Sequence, residues 1–173
     1  MSALAAAVTT AGARWLPAYV GVGSNLAEPR TQVNRALDAL AHLPATRLVL
    51  RSPLYQTPPF GEVAQPAFVN ATAALLTQLT AEQLLAELHL LEKSLGREPP
   101  RERWGPRLID LDLLVLGTEK RATESLTLPH PGIAERDFVL YPLADIAPDL
   151  EVPGLGSVAR LRDRVANRGV ARI

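Results

Sequence analysis

The sequence predicts an α+β sandwich of the ferredoxin-like type, with helices on one face of a mixed, mainly antiparallel sheet. Two observations favour this class. Strand–helix–strand segments occur twice in succession, and the apolar residues switch between the alternating spacing of strands and the three-to-four spacing of helices. The length of 173 residues suits one compact domain. We expect that domain over residues 18–173, preceded by a flexible extension over residues 1–17.

The first half of the chain carries three predicted strands and two predicted helices. Pro29 stands at the start of a helix whose apolar side chains recur up to Leu40. Thr80 is the predicted N-cap of the second helix, which Gly96 ends. The strands are predicted over residues 18–23, 47–55 and 67–79, with a proline-containing loop over residues 56–66.

The second half contains a charged loop, an apolar strand and a helix. The loop covers residues 97–107, the strand residues 108–116 and the helix residues 134–143, and the remaining residues are weakly patterned. The strand is apolar on both faces apart from two aspartates, which is typical of a buried strand. We therefore expect this strand to be central in the sheet.

The composition excludes several classes of function. The chain has 18 basic and 18 acidic side chains, so it lacks the basic excess of a dedicated nucleic-acid binder. It has no cysteine, which excludes disulfides, a thiolate nucleophile and cysteine-bound metal clusters. No run of about 18 apolar residues marks a transmembrane helix. We expect a cytoplasmic monomer with neither a nucleic-acid nor a membrane partner.

Asp110 and Asp112 are candidate ligands of Mg²⁺. They stand two apart on a strand, so both side chains leave the same face, with Cα atoms about 7 Å apart. Two such carboxylates suit a hard cation whose other ligands are water or phosphate oxygens. The alternative is that both aspartates pair with nearby arginines on a solvated face. Burying two acids in an apolar strand is costly, which favours the cation site.

The loop before this strand is a candidate phosphate site because it is rich in arginine. Arg97 and Arg107 flank the loop, and a planar guanidinium binds two phosphate oxygens at once. Arginines, carboxylates and Mg²⁺ together are typical of phosphoryl transfer. The sequence lacks the Gly-Lys-Ser/Thr of a P-loop, and Gly21-Val22-Gly23 is only half of a dinucleotide-binding fingerprint.

Two further side chains each allow two interpretations. His130 lies between two prolines, so a stiff loop presents its ring; it either donates a hydrogen bond to a phosphate or is an ordinary surface histidine. Trp104, in the charged loop, either stacks on a ligand or anchors the loop.

Four short segments occur in a fixed order over about residues 18–150. They are residues 19–26 (YVGVGSNL), 55–61 (YQTPPFG), 96–112 (GR at its start and RWGPRLIDLD at its end) and 128–131 (LPHP). Together they resemble the 6-hydroxymethyl-7,8-dihydropterin pyrophosphokinases of folate biosynthesis, and residues 103–112 are the most specific part of the resemblance.

The resemblance implies a ferredoxin-like fold and the transfer of pyrophosphate from ATP to the hydroxymethyl group of the pterin, with release of AMP. It implies four catalytic residues, of which the two aspartates would hold two Mg²⁺ ions. These residues are Arg97, Arg107, Asp110 and Asp112. The implied ATP-binding residues are His89, Glu92, Arg97, Trp104, Arg107, Thr127, His130 and Arg136.

The resemblance also implies a pterin pocket with stacking faces and a polar edge. Phe68 and Phe138 would cover the two faces of the ring. Asn70 suits the edge because its amide offers both a donor and an acceptor, although a polar residue of an edge strand is the alternative. The implied pterin-binding residues are Thr57, Pro58, Phe60, Phe68, Asn70 and Phe138.

The residues alone leave other functions open on this fold. An RNA-binding sandwich would expose aromatic side chains on its sheet, but only 5% of this chain is aromatic. A regulatory ligand-binding domain would not need the aspartate pair. A Mg²⁺-dependent phosphohydrolase, in which water replaces the alcohol, would use the same charged groups.

Overall fold

The structure is a computed structural model, and it describes residues 13–59, 62, 64–98 and 105–173. The strands are β1 (Leu16–Ser24), β2 (Thr46–Arg51), β3 (Tyr55–Thr57), β4 (Phe68–Thr77), β5 (Asp110–Leu116), β6 (Arg121–Ala122), β7 (Thr127–Leu128), β8 (Glu151–Val152), β9 (Gly156–Ser157) and β10 (Ala171–Arg172). The helices are α1 (Pro29–Leu40), α2 (Ala81–Ser94), α3 (Asp137–Ile146) and α4 (Val158–Arg164).

One main sheet organises the molecule. Its strands follow the order β10-β3-β4-β1-β5, and β2 also pairs with β4. Each of these pairings is antiparallel. The chain forms two strand–helix–strand segments, β1–α1–β2/β3 and β4–α2–β5. Their strands alternate in the sheet, so that β4 and β1 lie in the middle. This is the ferredoxin-like arrangement, and it confirms the predicted fold class.

Helices cover both faces of this sheet, which differs from the predicted single face. One core joins β1 to α1 and α2; Val20 of β1, Leu37 of α1 and Leu88 of α2 are all fully buried in it. A second core joins β5 to α3 and α4, and Leu140 and Leu161 belong to it. The prediction missed α4 because its seven residues carry too short an apolar pattern.

β5 lies at the edge of the sheet, so the predicted central position is wrong. Among the described strands of this sheet, only β1 pairs with β5. Its apolar residues are nevertheless buried on both faces, since Leu111 and Leu113 join the α1/α2 core while Leu114 and Val115 join the α3/α4 core. Apolar residues on both faces of a strand therefore indicate that helices cover both faces; they do not indicate whether the strand is central or at the edge of the sheet.

Several boundaries also differ from the predictions. β1 begins at Leu16, so the strand takes in the last two residues of the predicted extension. The predicted strand 47–55 is two strands, separated at Ser52, Pro53 and Leu54, where proline interrupts the ladder. The predicted helix 134–143 is α3, which begins at Asp137. The second helix begins as predicted, because Thr80 and Gln83 form a reciprocal capping box.

The last strand lies beside the first residues of the proline-containing loop. β10 pairs with β3, and an added Cβ on Gly169 would lie 2.9 Å from Cγ of Pro58. The backbone N–H of Arg168 donates to the Asp137 carboxylate at 2.7 Å. This segment therefore joins β3 to the N-terminal end of α3. None of the described helices is long and apolar enough to cross a membrane.

Candidate active site

Two glycines of β1 form the floor of the candidate site. In the sheet register, Gly23 lies between Asn70 of β4 and Asp110 of β5. Gly21 lies between Thr72 and Asp112 on the same two strands. Because residues directly opposite each other point to the same face, four polar side chains border a strip that has no side chains of its own.

A cavity of about 260 Å³ opens above this strip. It extends between the sheet, the end of β3 and the start of α3. Its lining residues are Gly21, Val22, Gly23, Thr57, Pro58, Phe68, Asn70, Ala71, Thr72, Gly105, Arg107, Asp110, Asp112, Leu114, His130, Arg136, Phe138 and Val139.

A second cavity of about 340 Å³ lies beside β5 and α2. Its lining residues are Leu85, His89, Glu92, Arg97, Arg107, Asp110, Leu111, Asp112, Leu113, Thr123, Glu124, Ser125, Leu126, Thr127, His130 and Pro131. Four residues line both cavities: Arg107, Asp110, Asp112 and His130. The charged groups thus lie where the two cavities meet.

Asp110 is held by two arginines. Nη1 of Arg97 donates to its Oδ1 at 2.9 Å, and Nη1 of Arg107 donates to its Oδ2 at 2.6 Å. Arg97 also pairs with Glu92, whose carboxylate accepts the backbone N–H of Leu111 at 2.7 Å. Burial raises the pKa of Glu92 above its ordinary value, while the Leu111 N–H and Arg97 oppose that shift. Glu92 therefore fixes Arg97 against the start of β5.

Asp112 differs from Asp110 because no described residue gives it a hydrogen bond or an ion pair. Burial first, and then the neighbouring charge of Asp110, raise the pKa of Asp112 to about 7. The predicted alternative, in which both aspartates pair with arginines, thus holds for Asp110 alone. A carboxylate that no described side chain pairs with, at the junction of two cavities, fits a cation-binding role.

The donor set at this junction fits Mg²⁺ shared with phosphates. Within the described ranges, no cluster of three or more His, Cys, Asp and Glu side chains could hold a metal alone. Mg²⁺ is usually bound through one or two carboxylates together with waters and substrate phosphates, which matches two aspartates beside an open cavity.

His130 presents a neutral ring to both cavities. Its backbone N–H donates to the carbonyl oxygen of Leu114 at 2.9 Å, and its Nδ1 accepts the backbone N–H of Gly132 at 3.0 Å. Burial, followed by the charge of Arg136, lowers the pKa of His130 to about 4. With Nδ1 accepting, the ring proton lies on Nε2, where it is a donor. The interpretation of His130 as an ordinary surface residue does not fit this half-buried, bonded position.

Arg136 and Phe138 form one wall of the first cavity. The guanidinium carbon of Arg136 lies 5.8 Å from the centre of the Phe138 ring. Gly132 provides the space for this arrangement, because an added Cβ would lie 2.5 Å from Nε of Arg136. The wall therefore presents an aromatic face backed by a positive charge.

The opposite wall is polar. Nδ2 of Asn70 donates to Oγ1 of Thr57 at 2.7 Å, and both side chains are buried. Asn70 stands in the interior of β4, between β1 and β3, so the alternative of a polar residue on an edge strand is wrong. Its Oδ1 is left facing Gly23 and the cavity floor.

Asn25 connects the two loops that border the site. Its Nδ2 donates to Oε1 of Gln65 at 2.9 Å and to the carbonyl oxygen of Pro66 at 3.0 Å. Its Oδ1 accepts the backbone N–H of Arg107 at 2.8 Å, and its own N–H donates to the carbonyl oxygen of Arg107 at 3.1 Å. Asn25 is only 2% exposed, so these bonds are shielded from water.

The structure groups the predicted residues into two sets. Five residues predicted for the pterin line the first cavity: Thr57, Pro58, Phe68, Asn70 and Phe138. Six residues predicted for ATP line the second: His89, Glu92, Arg97, Arg107, Thr127 and His130. Arg136, also predicted for ATP, lines the first cavity and not the second. Phe60 and Trp104 lie outside the described residues.

Three features of the site were not predicted. Thr72 carries no sequence signal beyond a polar residue within an apolar strand, and Asn25 lies in the motif at residues 19–26 but received no predicted role. The third is a register shift between β1 and β5 next to Leu114, which brings the Leu114 carbonyl to the His130 N–H. A register shift of this kind does not change the pattern of apolar and polar residues in β5, so the sequence does not predict it.

Comparison with protein-family models shows the family of this chain. Residues 19–148 match the model described as 7,8-dihydro-6-hydroxymethylpterin-pyrophosphokinase, HPPK. The chain belongs to the HPPK family. The match includes both predicted sets of site residues.

Curated relatives agree with this assignment. The 2-amino-4-hydroxy-6-hydroxymethyldihydropteridine pyrophosphokinase of Pseudomonas aeruginosa is 47% identical over 155 residues, which cover 90% of this chain and 95% of the relative. The Haemophilus influenzae protein of the same name is 39% identical and covers 91% of this chain and 98% of its own length. The chain thus matches HPPK proteins over nearly their full length.

Solved structures with the same fold include larger HPPK proteins. A crystal structure of Plasmodium falciparum HPPK-DHPS superposes with a TM-score of 0.70 at 13% identity and covers 90% of this chain. The wild-type protein gives a TM-score of 0.69. This chain spans less than half the length of either structure's chain, 46% and 45% respectively.

Proposed function

We propose that this chain transfers pyrophosphate from ATP to the hydroxymethyl group of 6-hydroxymethyl-7,8-dihydropterin, in folate biosynthesis. The hydroxymethyl oxygen would attack the β-phosphorus of ATP, the bond from that phosphorus to the α–β bridging oxygen would break, and AMP would leave. The observation that carries the proposal is the pair of cavities that meet at Asp110 and Asp112. Two substrates bound one in each cavity would bring their reacting ends to the same charged groups.

The residues of the first cavity suit a flat, polar-edged ring. Phe68 and Phe138 supply aromatic faces, and such stacks contribute about 0.5–1.5 kcal/mol beyond their buried area. Asn70 and the loop from Thr57 supply hydrogen-bonding groups for the edge of the ring. We assign the predicted pterin-binding residues, Phe60 included, to this role.

The residues of the second cavity suit a nucleotide triphosphate. Arg97 and Arg107 lie where charge develops during transfer, and Nε2 of His130 is a neutral donor for a phosphate oxygen. His89 of α2 and Thr127 of β7 also line this cavity. We retain Trp104 and Arg136 as proposed nucleotide-binding residues, with Arg136 reaching the nucleotide from the pterin side of the junction.

We propose that Asp110 and Asp112 hold two Mg²⁺ ions between themselves and the triphosphate. Bound Mg²⁺ supplies positive charge that neutralises phosphate oxygens as the β-phosphorus is transferred. In the protein alone, Arg97 and Arg107 occupy both oxygens of Asp110. Binding of the metal and triphosphate would therefore move these arginines from carboxylate to phosphate.

We further propose that residues 18–173 act as a single domain, and that the protein is a monomer working in the cytoplasm. One chain lines both cavities, so no second copy is needed to complete them. Light scattering after size-exclusion chromatography would give the mass in solution. A dimer whose dissociation abolishes activity would contradict the monomer.

The nucleotide product tests the proposed reaction. Incubation with ATP, Mg²⁺ and the hydroxymethyl dihydropterin should give AMP and the pterin diphosphate in equal amounts. A pterin carrying a methyl group in place of hydroxymethyl is the matched control, because it fills the same pocket without an acceptor oxygen. ADP as product would indicate a simple kinase. ATP breakdown that continues with the control pterin would indicate the phosphohydrolase.

A further inference from the structure

Thr72 carries a buried hydroxyl group that the fold leaves without a partner. Among the buried side-chain nitrogen and oxygen atoms of the described residues, only Oγ1 of Thr72 has no hydrogen bond. Thr72 is fully buried and lines the first cavity. Buried hydroxyls almost always have a hydrogen-bond partner. A buried hydroxyl without one, on a residue that lines a cavity, is therefore a candidate for binding a ligand.

The backbone N–H and carbonyl of Thr72 both form hydrogen bonds, so among its polar groups only the side-chain hydroxyl has no partner in the described residues. Its N–H donates to Oγ of Ser52 at 2.9 Å, and its carbonyl accepts the Ser52 N–H at 2.8 Å. Thr77, also on β4, shows the usual arrangement, because its Oγ1 shares a 2.8 Å hydrogen bond with Oγ1 of Thr46. Valine would fill the place of Thr72 with the same shape and without an unbonded polar atom.

The position of Thr72 places its side chain on the face of the sheet that borders the site. It stands two residues after Asn70 on β4, so both side chains leave the same face. Its neighbour across the sheet is Gly21, and Asp112 lies beyond Gly21 in the same row. The side chain of Leu114 lies next to Gly21, 3.6 Å from the position of an added Cβ. The side chains of Thr72 and Asn70 therefore follow one another along the same wall of the cavity.

We propose that Thr72 is a specificity-determining residue whose hydroxyl hydrogen-bonds the polar edge of the bicyclic ring that Asn70 also contacts. The proposal rests on the proposed function, since the ring is the pterin assigned to the first cavity. Thr72 acts only in binding. The fold carries its unbonded hydroxyl in the free protein, and the ligand supplies the missing partner.

Calorimetry on Thr72→Val, with the hydroxymethyl dihydropterin and with a non-hydrolysable Mg²⁺–ATP analogue, tests the proposal. The variant should bind the pterin roughly 5- to 20-fold more weakly and the ATP analogue unchanged, because it lacks one ligand hydrogen bond. It should also melt at a higher temperature than the wild type, because the unbonded hydroxyl is gone. Thr77→Val is the matched control on the same strand; it breaks a satisfied hydrogen bond, so it should melt lower with pterin affinity unchanged.

The pair Thr72→Ser and Thr72→Ala isolates the hydroxyl if valine packs badly. Both lack the methyl group and only serine keeps the oxygen, so serine should bind the pterin more tightly than alanine by about the same factor. Equal pterin affinity in serine and alanine, or wild-type affinity in Thr72→Val, would overturn the proposal. Failure of the wild-type chain itself to bind pterin would instead overturn the proposed function.

Discussion

Gly23 leaves the space that the amide of Asn70 occupies. A Cβ added to Gly23 would lie 2.6 Å from Oδ1 of Asn70, closer than side-chain atoms approach each other. The amide cannot turn away freely, because its Nδ2 is bonded to Oγ1 of Thr57. The absence of a side chain on one strand thus orients a ligand-facing group on the next.

Gly23→Ala should therefore displace the Asn70 amide and weaken pterin binding by about 10-fold or more, since a matched polar pair is lost. Asn70→Ala is the background that isolates this route, because it removes the Oδ1 that the added Cβ would meet. Calorimetry with pterin on Gly23→Ala and on Gly23→Ala/Asn70→Ala, each compared with its own parent, measures the difference. An equal loss of affinity in the two backgrounds would show that Gly23 does not act through Asn70.

Asn25 allows its two loop contacts to be separated by substitution. Asn25→Asp keeps the acceptor for the Arg107 N–H but loses the donor to Gln65 and Pro66. Asn25→Ala loses both. We expect the aspartate variant to weaken pterin binding chiefly, and the alanine variant also to lower kcat because Arg107 is no longer fixed. Steady-state kinetics with each substrate varied would check this, and identical kinetics in the two variants would contradict it.

Arg107→Ala should lower kcat by about 10²- to 10³-fold with a smaller change in affinity for the ATP analogue, because the guanidinium acts on charge that develops during transfer. Arg97→Ala should behave similarly. Arg51→Ala is the control, since its pair with Asp38 is solvent-exposed and distant from both cavities. Should Arg107→Ala weaken ATP binding and leave kcat unchanged, the arginine would instead be a ground-state anchor.

Asp112→Asn should stabilise the unliganded protein while abolishing transfer. The folded pKa of Asp112, about 7, lies above that of an unfolded aspartate, so ionisation of this group lowers the stability of the wild type as pH rises from about 4 to 7, and the variant lacks that contribution. We expect the variant to gain about 1–3 kcal/mol at pH 8 without Mg²⁺, and little at pH 4. Urea unfolding at both pH values measures this.

Asp110→Asn provides the opposite case, because it removes the partner of Arg97 and Arg107. This variant should unfold at lower urea than the wild type at pH 8. Destabilisation of equal size in both variants would mean that Asp112 has a favourable partner in the folded protein.

Helices α1 and α2 and the shared face of the aspartates could be predicted because local rules decide them. Thr80 caps α2 through bonds to its own first turn, and Asp110 and Asp112 share a face on any regular strand. The place of β5 could not be predicted in this way. Apolar residues on both of its faces record burial, and only the pairing with β1 shows that it is an edge strand.

The site was predicted mainly through the motifs and less through the spacing of charges. Patterning pointed to Asp110, Asp112 and the arginines, but not to which aspartate the arginines hold. That difference appears only in the folded chain, where Arg97 and Arg107 both donate hydrogen bonds to the first aspartate. Thr72 was missed because a threonine within a strand is ordinary until its surroundings show that its hydroxyl lacks a partner.

The pairing of β10 with β3 makes one wall of the proposed pterin pocket depend on chain that is synthesised much later than the wall itself. Ribosomes deliver the chain from its N-terminus, so β1, β4 and β5 can assemble with the charged groups before Gly169 reaches Pro58. A nascent chain that still lacks residues 168–172 would thus contain the aspartates and the second cavity, but its acceptor pocket would be without the support of β10.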